Sequence, residues 1–167
     1  MKIGIDLGGS HIAIGVVNNK GRIIEKVEKR ILGNEKKEIK KTIETYIFDN
    51  VNKLCKKYKV TELGIAIPGT VTDKKIIKSV NLRINEYNIA GNLSKKIKLP
   101  IKIKNDAKCA AIAENKYGCL KNYKRSIFLT LGTGIGGAAI INNKLLDTGE
   151  LPGCEFGHMV IEEDGLL

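Results

Sequence analysis

The sequence predicts a mixed α/β fold, with elements in the order β-β-β-α-β-α-β, from three observations. Apolar residues alternate with polar ones in the first thirty positions, and after residue 36 they recur at three- or four-residue steps. A pattern of strand, glycine turn and strand opens the chain and occurs again after residue 121. This internal repeat predicts two lobes of similar build, at residues 1–120 and 121–167, the second of them truncated.

Three antiparallel strands open the first lobe. In residues 2–9 (KIGIDLGG) and 11–18 (HIAIGVVN) the apolar side chains alternate along the chain, which is the period of a strand with one buried face. A turn at residues 8–10 joins these two strands. Residues 18–21 (NNKG) form the next turn because Asn and Gly favour tight turns, and residues 22–30 (RIIEKVEKR) follow as the third strand.

Helices and strands then alternate. From Lys36 to Tyr58 the apolar residues fall on one stripe of a 3.6-residue period, which predicts an amphipathic helix. The later elements are, in order, a buried strand in VTELGIAIPG, a short helix from Ile89 to Ile97, a strand in PIKIKND, and a helix in AKCAAIAENKYG that Gly118 caps. In the second lobe we expect strands at 126–131 and 138–142, on either side of a glycine turn.

Composition and charge exclude several functional classes. Only four of the 29 basic residues are Arg, the lysines are spread along the chain, and few aromatic residues are available to stack on bases. The net charge of +11 therefore predicts a solvated Lys-rich surface and no nucleic-acid partner. No apolar run approaches the roughly 20 residues that cross a bilayer, and the start is not a signal peptide. The four cysteines lack CxxC spacing, so we expect reduced thiols in a cytoplasmic protein without a membrane partner.

Two glycine-rich turns are candidates for binding phosphate. In the first, Asp6 ends a strand and is followed by Gly8, Gly9 and Ser10; glycines let backbone N–H groups approach phosphate oxygens, and the carboxylate can hold Mg²⁺ through water. The alternative is a plain hairpin with Asp as a turn former. The second turn, GTGIGG, comprises Gly132, Thr133, Gly134, Gly136 and Gly137.

The GTGIGG turn differs from two well-known phosphate motifs. A dinucleotide-binding GxGxxG opens a helix, whereas a strand-like AAIIN follows here, and no Gly-Lys-Ser/Thr ends the run as in a Walker loop. By itself a glycine hairpin is weak evidence for any ligand. Because it occupies the matching place in the second lobe, we interpret the two turns together as a two-sided phosphate clamp.

Two further pairs of polar residues are candidates for binding or catalysis, one at the end of a strand and one near the C-terminus. Asn105 and Asp106 stand where a strand gives way to a helix, a place where ligand-facing groups are common in α/β sheets; Asp106 is there either a helix N-cap or a base that accepts a proton from a substrate hydroxyl. Glu155 and His158 are either a surface acid and a packed imidazole or groups that bind sugar hydroxyls, with His158 also suited to a metal.

In this order the segments resemble the ROK family (repressors, uncharacterised reading frames and kinases), which has the actin-like ATPase, or ribonuclease H-like, fold of sugar kinases, actin and Hsp70. The resemblance spans nearly the whole chain through five ordered motifs. They are IGIDLGGSHIAIGVVNNKGRI, GIAIPGTVTD, LPIKIKNDAKCAAIAE, LTLGTGIGGAAIINNKLL and GELPGCEFGHMVI.

The resemblance implies transfer of a phosphoryl group from ATP, with Mg²⁺, to a hexose hydroxyl, typically the 6-OH of glucose. It implies that Asp106 is the general base. It further implies that Gly69, Asn105, Glu155 and His158 bind the sugar. By the same resemblance, Asp6, Gly8, Gly9 and Ser10 face the Mg²⁺-bound phosphates from one lobe, and Gly132, Thr133, Gly134, Gly136 and Gly137 face them from the other.

Several features depart from the family pattern. Ser10 stands where Thr is usual, Lys108 replaces the second Asn of the N-D-A-N motif and puts a cation beside the base, and Cys154 occupies a place usually held by a small residue. Family members continue after EEDG into a zinc cluster whose cysteines share the metal with the His158 position, and then into adenine-binding elements. The chain stops near the first of those cysteines, so we expect a truncated kinase, by engineering or in nature, without Zn²⁺ and with weak or absent activity of its own.

Two other functions compete with a sugar kinase. A sugar-binding transcriptional regulator of the same family carries a helix-turn-helix before its first phosphate loop, whereas here that loop begins at Lys2–Ile3, which leaves no room for one. An actin- or Hsp70-like ATPase lacks the N-D-A and E-x-G-H motifs. The sequence does not choose among hexoses or settle the oligomeric state, for which the family's habit predicts a homodimer.

Overall fold

The computed structural model describes residues 1–132, 134–146 and 154–162. The chain divides into two compact units, Met1–Asp106 and Ala107–Leu167. This boundary is set by contacts, whereas the boundary expected at residue 120 is set by the internal repeat, and the repeat-based division stays a prediction. Along the described part of the chain, no helix combines the length and the apolar character needed to cross a membrane.

The first unit is built on a five-stranded mixed sheet. Its strands and helices are, in chain order, β1 (Lys2–Leu7), β2 (His11–Val17), β3 (Ile23–Arg30), α1 (Ile39–Lys57), β4 (Glu62–Ile67), β5 (Thr70–Val71), β6 (Ile76–Ser79), β7 (Ile84–Tyr87), α2 (Ile89–Ser94) and β8 (Ile101–Asn105). The sheet order is β3-β2-β1-β4-β8. The first three strands are antiparallel, while β1, β4 and β8 run parallel to one another, so the carboxyl ends of these three strands lie at one edge.

One face of this sheet forms the core. Along β1 the residues alternate strictly, with Ile3, Ile5 and Leu7 buried while Gly4 and Asp6 are exposed. Helix α1 contributes an apolar stripe of five buried residues to the same core, in which the spacing follows the helical period. The stripe consists of Ile39, Ile43, Ile47, Val51 and Leu54. The helical and strand periods of the sequence therefore predict which side chains are inside.

The structure adds three short strands between β4 and α2 that the predicted element order does not include. Strands β5, β6 and β7 form a separate antiparallel sheet. Each has only two to four residues, too few for an alternating pattern to be recognised, and the left-handed backbone of Arg83 (φ 55°) and Glu86 (φ 43°) interrupts the run. Helix α2 is also shorter than predicted, ending at Ser94 instead of Ile97.

The second unit contains most of helix α3 (Asp106–Tyr117), strands β9 (Arg125–Leu131), β10 (Ile135–Ile141) and β11 (Lys144–Leu145), and a 3₁₀ helix at Phe156–His158. The strands form an antiparallel sheet. Ala111 of α3 is buried with Ala138 and Ile140 of β10. Asn142 and Asn143 both have positive φ and make the two-residue turn from β10 to β11, as Asn favours in such hairpins.

Two local predictions for this unit were wrong. Strand β10 begins at Ile135 instead of Ala138, so that Gly136 and Gly137 are paired with β9 and do not form the turn; glycines in a strand hide its alternating pattern. Gly118 does not adopt the left-handed conformation of a helix-capping glycine. The end of α3 is closed by Glu114, whose Oε2 accepts the Cys119 N–H at 3.0 Å.

Candidate functional site

The predicted site residues of the first unit gather at the carboxyl edge of the parallel strands. Asp6 of β1 is aligned with Ala66 of β4, and Ile67 at the end of β4 is aligned with Asn105 at the end of β8. Because carboxyl ends of parallel strands meet at one edge, the three strand ends carry Asp6, Gly69 and Asn105 to the same place. The sequence motifs at these three positions are therefore adjacent in space although they are far apart in the chain.

The first glycine turn is fixed by hydrogen bonds on both sides. The Gly8 N–H donates to the His11 carbonyl at 2.9 Å, and the Ser10 carbonyl accepts the Ile31 N–H at 2.8 Å. A Cβ on Gly9 would lie 2.8 Å from the Asn81 carbonyl oxygen, so the turn packs closely against the segment after β6. This is a preorganised loop rather than a flexible one.

Gly69 and Asn105 are held together at the ends of β4 and β8. Gly69 has φ 107°, and a Cβ there would lie 2.3 Å from the Lys78 carbonyl oxygen, so only glycine fits. The Asn105 amide nitrogen donates to the Gly69 carbonyl at 3.2 Å, which fixes the orientation of the amide. Asp106 follows directly as the first residue of α3, inside the helix rather than as its N-cap.

The small sheet of β5, β6 and β7, which the sequence did not reveal, forms a wall beside both glycine positions. Its Lys78 carbonyl lies against Gly69, and the Asn81 carbonyl that follows lies against Gly9. The sheet is tied to α1 through Glu44, which accepts hydrogen bonds from the Tyr87 hydroxyl and, at 3.0 Å, from the Asn92 amide. Burial, together with the hydrogen bond to Glu44, raises the pKa of the Tyr87 phenol well above its usual value.

Sequence reasoning also missed His11. Its Nε2 atom lies 3.2 Å from Oδ2 of Asp6, and its ring lies against Gly8. The signal that would have found it is the strand period: His11 and Ala13 share a face of β2, and Ala13 is aligned with Asp6.

The second unit carries the other glycine turn, between β9 and β10. The Gly132 N–H donates to the Gly134 carbonyl at 3.0 Å; Thr133, predicted as a phosphate-binding residue, lies outside the described residues. A Cβ on Gly137 would lie 2.3 Å from Cδ2 of Phe156, and one on Gly136 would lie 2.7 Å from the Thr130 hydroxyl oxygen. Gly136 and Gly137 are thus packed inside the unit.

Glu155 and His158 flank the 3₁₀ helix of the second unit. The His158 N–H donates to the Glu155 carbonyl at 2.9 Å, and both residues are exposed. A Cβ on Gly157 would lie 2.2 Å from the Ile135 carbonyl oxygen, so this segment packs directly on the start of β10. The structure thereby brings Glu155 and His158 together locally, while their sugar-binding role stays a prediction.

The residues fit the two predicted metals unequally. Asp6 is a half-exposed carboxylate beside a glycine turn, which suits Mg²⁺, an ion that takes few protein oxygens and keeps several waters and phosphate oxygens. Among the residues that the structure describes, no three His, Cys, Asp or Glu side chains are grouped to hold a metal ion. The assignment of His158 to zinc, which was expected only together with the downstream cysteines, stays a prediction.

Known proteins resemble the chain over nearly its full length. The model of the ROK family matches residues 2–167. The β-glucoside kinase of Listeria monocytogenes is 31% identical over 99% of this chain and 55% of its own length. The crystal structure of a ROK family glucokinase from Streptomyces griseus, in complex with glucose and AMPPNP, superimposes with a TM-score of 0.85 at 32% identity, covering 99% of this chain and 52% of that one.

The matches include a regulator as well as kinases. The xylose repressor of Bacillus subtilis is 27% identical over 98% of this chain and 43% of its own length. The chain spans about half the length of the curated relatives that it matches. The structural similarity confirms the expected actin-like ATPase fold.

Proposed function

Because the chain belongs to the ROK family, we propose that it is part of a hexose kinase that transfers the γ-phosphoryl group of ATP, with Mg²⁺, to a hexose hydroxyl, the 6-OH of glucose. The observation that carries the proposal is the common edge of β1, β4 and β8, where Asp6, the Gly69–Asn105 pair and Asp106 lie at or beside the ends of three neighbouring strands. A carboxylate for the metal and a carboxylate for the acceptor at one sheet edge match the needs of phosphoryl transfer.

Asp106 acts as the base in this proposal. The sugar hydroxyl oxygen forms a bond to the γ-phosphorus, the bond from that phosphorus to the bridging oxygen of ADP breaks, and the hydroxyl proton passes to the Asp106 carboxylate. The neighbouring Asn105 amide, already oriented by its hydrogen bond to Gly69, binds another sugar hydroxyl. Orientation of the acceptor supplies much of the rate enhancement in such reactions.

The phosphates are bound by backbone groups and by the metal. Gly9 and Ser10 present N–H groups from a turn that is fixed on both sides, so little order is lost when the phosphates bind. The Gly8 N–H is already donated to the His11 carbonyl, so Gly8 faces the phosphates without a donor of its own. Bound Mg²⁺ supplies neutralisation of the phosphate charge, and Asp6 holds it through water. We assign Gly132, Thr133 and Gly134 of the second turn, with Gly136 and Gly137 at the start of β10, to the same phosphates, and Glu155 and His158 to the remaining sugar hydroxyls.

A sugar-binding regulator without kinase activity is the second candidate, favoured by the similarity to the xylose repressor. Both candidates bind a sugar, and they differ in turnover. The regulator needs no base, so substitution of Asp106 would leave its sugar binding largely intact.

The test combines binding with turnover. Calorimetric titrations measure the affinity for glucose and for AMPPNP with Mg²⁺, and mass spectrometry detects hexose phosphate after long incubation with ATP. We expect both ligands to bind and a slow turnover, since the relatives are about twice as long. In Asp106→Asn the turnover falls by about 10²–10⁴-fold, the usual contribution of a general base, while the glucose affinity changes little.

Asp49→Asn is the matched control, because Asp49 is an exposed carboxylate on α1. This helix packs on the face of the sheet that carries Ile3, Ile5 and Leu7, opposite to the face that carries Asp6. The Asp49→Asn variant keeps the wild-type rate. Equal turnover of wild type and Asp106→Asn contradicts the assignment of the base. Glucose binding by a wild-type chain that does not bind AMPPNP supports the regulator instead.

A further inference from the structure

The side chain of His11 contacts Asp6, and the proposed function gives this contact no role. The two residues are diagonal neighbours on antiparallel strands: Asp6 is aligned with Ala13, two positions along β2 from His11. The strand period puts all three on one face of the sheet. Because Ala13 is small, the space beside Asp6 is open to the longer imidazole of His11, and Nε2 of His11 lies 3.2 Å from Oδ2 of Asp6.

The hydrogen in this contact has only one position. A carboxylate oxygen accepts hydrogen bonds and does not donate them, so Nε2 of His11 carries the hydrogen and donates it to Asp6. The bond engages one carboxylate oxygen and limits rotation of the Asp6 side chain. Asp6 is otherwise about half exposed (55%), a setting in which a carboxylate would sample several rotamers.

Gly8 is what allows the imidazole to reach Asp6. A Cβ on Gly8 would lie 2.5 Å from Cε1 and 2.6 Å from Nδ1 of the His11 ring, closer than any real contact. Gly8 does not have a positive φ, so its backbone conformation does not itself require glycine. A side chain at residue 8 would therefore displace the His11 ring from its place beside Asp6.

We propose that His11 is a positioning residue for the nucleotide metal: it holds the Asp6 carboxylate in the orientation that receives the water shell of Mg²⁺ on the phosphates. The proposal rests on the proposed function, in which Asp6 binds that metal through water. Partners that orient a metal-binding carboxylate typically change metal affinity by 10- to 100-fold when they are removed. His11 contacts neither the sugar nor the base, so its effect is confined to metal-dependent binding of the nucleotide.

Two substitutions separate the donor from the bulk of the ring. His11→Gln keeps an N–H donor at about the reach of Nε2, while His11→Leu keeps a comparable volume and loses the donor. Calorimetry measures the affinity for AMPPNP with and without Mg²⁺, and the affinity for glucose, in each variant. We expect His11→Leu to lose about 10-fold in affinity for AMPPNP with Mg²⁺. The metal-free AMPPNP affinity and the glucose affinity stay within about twofold, and His11→Gln stays close to the wild type.

A merely structural role gives a different pattern. If His11→Leu weakens AMPPNP equally with and without Mg²⁺, or weakens glucose binding alongside it, or leaves every affinity unchanged, the positioning role is wrong. Thermal unfolding of the same samples identifies a loss caused by a damaged fold.

Failure of the proposed function is seen separately, as a wild-type chain that binds no AMPPNP under either condition. The His11–Asp6 contact is then decided by ¹⁵N NMR of the imidazole in the ligand-free protein. A ring protonated at Nε2 in the wild type and at mixed positions in Asp6→Ala supports the positioning of Asp6. The same mixture in both proteins overturns it.

Discussion

The two glycine turns look alike in the sequence, but their glycines are required for different reasons. In the first turn, Gly8 and Gly9 each lie where a Cβ would collide, one with the His11 ring and the other with the Asn81 carbonyl. In the second turn, no described atom beyond the chain neighbours lies within 4 Å of a Cβ on Gly132 or Gly134, and Gly132 does not have a positive φ. At Gly9, where the obstacle is a backbone atom, the first turn needs glycine for its own packing. Among the described residues, the second turn shows no such need at Gly132 or Gly134.

The difference shows what a glycine-rich motif does and does not indicate about a ligand. Where packing explains a glycine, the motif says little about a ligand. Where packing among the described residues does not explain it, close approach of a ligand to the backbone is a physical reason for leaving out a side chain that can be tested. Four substitutions, given in order of decreasing expected effect on stability, test this contrast.

Gly69→Ala is expected to cost the most stability. The backbone there has φ 107°, which L residues rarely adopt, and the new Cβ would lie 2.3 Å from the Lys78 carbonyl oxygen, a backbone atom that cannot move by itself. We expect a loss of about 3 kcal/mol or more in the free energy of unfolding, measured by urea denaturation. A loss below about 1 kcal/mol would mean that β6 shifts easily and is not the wall described above.

Gly9→Ala is expected to cost less, about 1–2 kcal/mol, because its Cβ would lie 2.8 Å from the Asn81 carbonyl without a strained backbone angle. Gly4→Ala is the matched control. Gly4 lies five residues earlier, in β1, and no described atom beyond its chain neighbours lies within 4 Å of a Cβ placed on it. The control keeps its stability within about 0.5 kcal/mol, or gains slightly because Ala has less freedom in the unfolded chain. Equal losses in the two variants would remove packing as the reason for Gly9.

Much of this architecture follows from the sequence, because the hydrophobic periodicity of each segment and the order of the elements along the chain can be read from local stretches of residues. The alternation of Ile3, Ile5 and Leu7 predicts β1 and its buried face, and the stripe of α1 is equally regular. The strand ends then locate Asp6, Asn105 and Asp106 at the candidate site. These residues are predictable because each lies at or beside the end of a recognisable strand.

The remaining features depend on contacts between distant segments, which no local period encodes. The wall of β5, β6 and β7 is made of strands too short to show alternation, and its contact with Gly9 joins residues more than seventy positions apart. The contact of His11 with Asp6 depends on the register of β1 against β2 and on the small size of Ala13. Gly136 and Gly137 were assigned to a turn because glycines do not contribute to the alternation of apolar and polar side chains that marks a strand, although both are paired with β9 as part of β10.

Gly132→Ala and Gly134→Ala are expected to have the smallest effect on stability, and they test the other half of the contrast. Since a Cβ at either position meets no described atom within 4 Å, the free energy of unfolding should change by no more than about 0.5 kcal/mol. If the turn receives phosphate oxygens against its backbone, the same methyl groups obstruct the ligand and AMPPNP affinity falls by about tenfold, or about 1.4 kcal/mol. Calorimetry with glucose serves as the control, because the sugar affinity should not change.

Other results would revise the role of this turn. Unchanged AMPPNP affinity in both variants would make the glycines of the second turn dispensable and remove it from the phosphate site. A loss of stability as large as that of Gly9→Ala would show that packing governs both turns, and the contrast between them would disappear. Stability retained together with a loss of nucleotide affinity separates a glycine kept for a ligand from one kept for the fold, a distinction that the GTGIGG motif cannot make as a string of letters.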